Sequence, residues 1–229
     1  MNFFRKQISD FERETDGKEK NIFPFSACTW EDIGRNEIVM QKDSAFELQG
    51  TGFELFTSQS LGSDETILVG KDLADIKGDI SFARVSLIEL DEIEDEQKAH
   101  DIVRKIEYIK YHYFPKGYMI RTNSLSSAEN VRVSKKALKD GISFEHIGNM
   151  LISKYKENKN VKAVKIFFIT DPSVNYGNLQ KLAEKNSNVI EALDHVIRDL
   201  NLDCDTCKLK AICDEVEGMK ELHFKNAMK

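Results

Sequence analysis

Three of the chain's four cysteines fall within ten positions, in "CDTCKLKAIC" at residues 204–213. Their spacing is C-x2-C-x5-C, and thiolates are strong ligands for zinc and for iron–sulfur clusters. C-x2-C lets two sulfurs converge on one metal from a tight turn. Cys213 follows Cys207 closely enough for one loop to supply three ligands, and Ala211 and Ile212 are placed to shield the site from water. A tetrahedral ion or a four-iron cluster wants a fourth ligand. Cys28, in "FPFSACTW", is the remaining cysteine, and Phe23, Phe25 and Trp30 around it suit a dry shell. His223 is its rival and would give a Cys3His zinc site, with His195 a weaker candidate. The other reading is reduced cysteines that only fill space. In a chain with so few cysteines, such a tight trio reads as a metal site first.

A second candidate is the basic interval Arg121, Arg132, Lys135, Lys136 and Lys139. Arg121, Arg132 and Lys135 are placed to meet the phosphates of coenzyme A through charge-assisted hydrogen bonds. The ordinary alternative is a solvated face around a short helix. The acidic run "DEIEDEQKAHD" lacks the alternating oxygen ligands and glycine turn of a calcium loop and reads as a helix N-terminus. Asp214, Glu215, Glu217 and Glu221 read as the start of a closing helix. There is no Gly-rich phosphate loop, G-x-S-x-G or H-E-x-x-H, so no residue is assigned a catalytic role. His100, His112 and His146 lie in helical patterns and read as packing or surface residues.

These residues must be held by a folded core. The 229 residues are 41% hydrophobic, enough for a sizeable core, and the net charge of −6 argues against a binder of nucleic-acid phosphates. No signal peptide and no apolar run of transmembrane length is found, so the expected location is the cytoplasm, with no membrane partner. Residues 1–20 have a helical apolar stripe in Phe3, Phe4, Ile8 and Phe11. Residues 21–90 carry short apolar and β-branched runs punctuated by glycine, which predicts an antiparallel sheet. "SAFELQGTGFELF" predicts a hairpin or bulge around Gly50-Thr-Gly52. Residues 92–113 predict a helix, "GYMIRTNS" and "VRV" strands, and Ser134 and Ser143 N-caps of two further helices. "VKAVKIFFIT" predicts a strand, and a long helix from Tyr176 delivers the chain to the cysteines. The fold class is α+β: an antiparallel β-rich part with an N-terminal helix over 1–115, then an α/β part over 116–229 ending in a cysteine-rich loop.

"ENVRVSKKALKDGISFEHIGNMLISKY" and "CDTCKLKAICDEVEGMKELHF" resemble the acetyl-CoA synthase family, the β-type subunit of the carbon monoxide dehydrogenase/acetyl-CoA synthase complex, over roughly residues 117–225. The resemblance implies Cys204, Cys207 and Cys213 as ligands of a four-iron cluster. With the possible all-cysteine set, it favours iron–sulfur (4Fe-4S) over zinc. It also implies anaerobic one-carbon, acetyl-CoA or electron-transfer metabolism, with subunits of such a complex or a redox protein as partners. The chain departs from the family by lacking the nickel-binding Cys-Gly-Cys element and by a shorter spacing to the third cysteine. It is therefore expected to be a relative or detached module. The alternative expectation is a non-catalytic interaction module with a structural zinc or iron–sulfur site.

Overall fold

The computed structural model describes residues 4–27, 30–92, 95–123, 127–198, 204, 206–216, 218–219 and 221–222. Its centre is one seven-stranded sheet in the order β1-β3-β7-β4-β2-β6-β5. The strands are β1 (Asn21–Pro24), β2 (Ser44–Thr57), β3 (Glu65–Val69), β4 (Ile80–Leu90), β5 (Tyr118–Asn123), β6 (Ala128–Ser134) and β7 (Val161–Ile169). The helices are α1 (Arg5–Glu14), α2 (Glu96–Ile109), α3 (Lys135–Lys139), α4 (Phe144–Lys156), α5 (Tyr176–Ile197) and α6 (Lys210–Glu215). The α+β class holds, and no helix among the described residues is long and apolar enough to cross a membrane.

Local chemistry explains where the helices begin. Ser134, Ser143 and Asn175 each accept a backbone N–H of the first turn of α3, α4 and α5, as does Asp95 at α2. Each such cap satisfies a donor that the helix itself leaves open. The inward stripe of α4, Phe144, Ile147, Met150, Leu151 and Tyr155, is buried as its periodicity predicts.

Two adjacent residues of β7 fix the layers. Phe167 meets Phe11 of α1 edge-on at 4.9 Å, and Phe168 stacks on Phe144 of α4 at 4.6 Å. Neighbouring strand residues point to opposite faces. So α1, with α5 packed beside it, covers one face, and α4 covers the other.

The pairing within the sheet is mixed. β1–β3, β4–β7, β2–β6 and β5–β6 run antiparallel, whereas β2–β4 and β3–β7 run parallel. β7 sits between β3 and β4, so strands from both sides of residue 115 interleave in one sheet. The hairpin expected at Gly50-Thr-Gly52 is instead the middle of the continuous strand β2, and the register shift of β2 falls at Ser44/Phe46. The glycines answer to close approach. A Cβ on Gly50 would overlap the Phe82 carbonyl of β4, and one on Gly52 would overlap the Glu129 carboxylate.

Candidate functional site

The cysteine element is seated on α5. Cys204 is exposed in a turn, while Cys207 and Cys213 are half-buried against the core. The three cysteines do not share one loop, because α6 begins at Lys210 and Cys213 lies within it. Asp214 and Glu215 therefore end a short helix and do not open one. Apolar anchors hold the segment down: Leu209, Val216, Met219 and Leu222 are all in the core. Glu215 adds ion pairs to Lys6 of α1 and Lys185 of α5.

Around the sulfurs, the Leu209 N–H donates to Cys207 Sγ at 3.4 Å. Burial pushes the Cys213 thiol up, and the neighbouring Cys207 and Cys204 push it further. Cys207 and Cys204 thus both lie within electrostatic reach of Cys213. Among the described residues, no three His, Cys, Asp or Glu side chains are gathered closely enough for a single metal ion. Both proposed fourth ligands, Cys28 and His223, lie outside the described residues. The donor chemistry suits iron–sulfur ligation, with cysteine sulfurs and an N–H aimed at one of them.

The basic interval divides. Arg121 and Arg132 line a concavity of about 340 Å³ on β5 and β6, with Asn130 and Gln49 between them. Arg132 is already engaged by Glu47 at 2.5 Å. Lys135 is elsewhere, donating to the Lys42 carbonyl at 3.0 Å. Of the histidines, His146 bonds its cap Ser143 at 2.9 Å and lies against Trp30. His100 is buried between α2 and α5, with Nε2 3.4 Å from Asp194.

What the sequence reading missed is a charge network inside the sheet. Arg84 of β4 is 3% exposed and lies between two fully enclosed carboxylates, Glu54 of β2 and Glu129 of β6. Its Nη1 is 3.0 Å from Glu54 Oε1, and its Nε and Nη2 reach Glu129 at 2.9 and 2.8 Å. Tyr155 donates to Glu54 Oε1 at 3.0 Å and Lys110 to its Oε2, also at 3.0 Å. Alternation along β4 puts Arg84 and Ser86 on the face of Phe82, which stacks on Phe144. The network therefore lies under α4. Burial raises the Glu54 carboxyl, but Lys110 and Arg84 outweigh it and hold the pKa below its ordinary value. Burial likewise lowers Arg84, and Glu129 and Glu54 more than restore it. The set is balanced, two acids against two bases, which is how buried charge is tolerated.

Beside this network opens a groove of about 1150 Å³ between α2, the ends of β5 and β6, and α5. Gly52 and Lys110 contribute to it, so the network borders the groove. Glu107 also lines it, its carboxyl raised by burial.

The family described as CO dehydrogenase/acetyl-CoA synthase complex beta subunit matches residues 31–174, well over half of the chain. The chain belongs to that family. The matched stretch takes in β2 to β7, beginning well before residue 117, and ends before α5 and the cysteines. No curated protein matches the chain.

Proposed function

We propose that this member of the acetyl-CoA synthase β-subunit family is an iron–sulfur protein. It acts in, or is accessory to, anaerobic one-carbon and acetyl-CoA or electron-transfer metabolism. Cys204, Cys207 and Cys213 would hold the cluster, with Cys28 as the preferred fourth ligand. The observation that carries the reading is the seating of the trio. Cys207 accepts an N–H, Cys213 is half-buried beside it, and Cys204 stands at the surface. When bound, a cluster supplies one-electron chemistry whose potential is set by burial and by hydrogen bonds to sulfur. This chain's own part is to exclude water with Leu209 and Val216 and to present the Leu209 N–H to Cys207.

The structural-staple alternative has less support. Four apolar anchors already dock the segment, so metal is not needed to fasten it. Family membership supports a partner among subunits of a carbon monoxide dehydrogenase/acetyl-CoA synthase complex. Should coenzyme A bind, Arg121 is better placed than Lys135 to receive its phosphates.

The test is anaerobic purification with analysis of iron, zinc and acid-labile sulfide. About four irons per chain with matching sulfide and a brown colour are expected. A colourless protein with one zinc per chain would overturn the cluster.

A further inference from the structure

The groove beside the charge network belongs to none of the chemistry assigned so far, and its α2 wall is unusual. Tyr108 is 61% exposed, and its ring lies 4.3 Å from that of His112 and 5.9 Å from that of Tyr111. The exposed rings of Tyr108 and His112, beside the half-buried Tyr111, give the groove an aromatic lining of the kind that marks a binding site. The same wall carries Arg104, Lys105 and Lys110, all lining the groove. Lys110 Nζ stands 5.6 Å above the centre of the Tyr111 ring. The opposing acids belong to the far wall, on α5: Glu191, and Asp194 held by Arg198 at 2.9 Å. Glu107, the acid on the α2 wall, is covered by Arg104 at 3.2 Å.

Flat rings and cations on one wall match a ligand that is flat at one end and negative at the other. Aromatic rings stack on aromatic rings, and oxyanions take charge-assisted hydrogen bonds from arginine and lysine. We propose that the groove binds a small aromatic oxyanion, a planar ring carrying a phosphate or carboxylate group. The ring lies on Tyr108 and Tyr111, and the anionic head faces Arg104 and Lys105. The proposal is independent of the cysteines.

The probes are phenyl phosphate, benzoate, inorganic phosphate and phenol, titrated calorimetrically into the full chain. One of the two aromatic anions should bind about tenfold or more tightly than phosphate or phenol, since both contacts contribute. Which of the two binds better identifies the head group. Arg104→Ala with Lys105→Ala should weaken that probe about tenfold. Tyr108→Ala should likewise weaken that probe, by about tenfold. All three side chains are exposed, so the variants should keep the wild-type denaturation midpoint. No saturable binding of either aromatic anion, phenol binding equally well, or an unchanged affinity in the double variant would each overturn the proposal.

Discussion

Arg84 at the centre of the sheet and Cys204 at the cysteine element sit in opposite settings. Arg84 is enclosed and meets two carboxylates that meet nothing but their partners. Cys204 is exposed, and the segment around it is held by apolar anchors and the exposed Glu215 pairs. Reactive group types are present in both places, but only the buried set is locked on every side. Arg84 of β4 ties β2 to β6 through Glu54 and Glu129, so a slip of one strand would leave a buried charge without its partner. The sulfur trio runs from the surface at Cys204 to the half-buried Cys207 and Cys213. The contrast fits a division in which the first region secures the fold and the second carries the iron–sulfur chemistry proposed above.

The largest way to break this contrast is Arg84→Met. It leaves Glu54 and Glu129 buried without their shared cation and should cost about 3–5 kcal/mol. Urea denaturation reads the loss, and a change below about 1 kcal/mol would show that the network does not secure the sheet. Next comes Ser143→Ala, which removes the cap of α4 above the network. It should cost about 1 kcal/mol by the same measurement.

A pH effect should follow from His100. Burial holds its pKa below the ordinary 6.5, so the folded state favours the neutral ring. Asp194 and Asp101 oppose that shift, while Arg104 and Arg198 add to it. Between the folded pKa and 6.5 the unfolded chain binds more protons. The stability due to this group is therefore complete above about 6.5 and is lost as pH falls toward the folded value. Wild type should lose more stability than His100→Asn between neutral and mildly acidic pH. Parallel pH profiles would remove His100 from the account. The smallest effect belongs to the rim: Cys204→Ser in metal-free protein should change stability by less than about 0.5 kcal/mol.

Much of this was legible in the residues. Ser134, Ser143 and the stripe of α4 announced their helices because capping and periodicity are local. The parallel pairing of β2 with β4 was not, since strand partners depend on topology and "GFELFTS" reads alike in either direction. Gly50 and Gly52 suggested a turn, whereas their cause is a neighbour distant in sequence. Glu54 and Arg84 lie inside runs that read only as strands, because the partners that bury them come from elements distant in sequence. The available signal was opposite charges set inside otherwise apolar runs, "FEL" and "ARV". The cysteines were visible by type, but the helix that carries Cys213 was not, because Lys210 to Glu215 is too short for a periodic pattern.

The division between fold and chemistry is tested most directly by the iron content of Cys204→Ser/Cys207→Ser/Cys213→Ser, purified anaerobically and shown to keep the wild-type urea midpoint. The account predicts essentially no iron in this variant against about four irons per chain in the wild type. Iron retained at the wild-type level in the folded variant would contradict it.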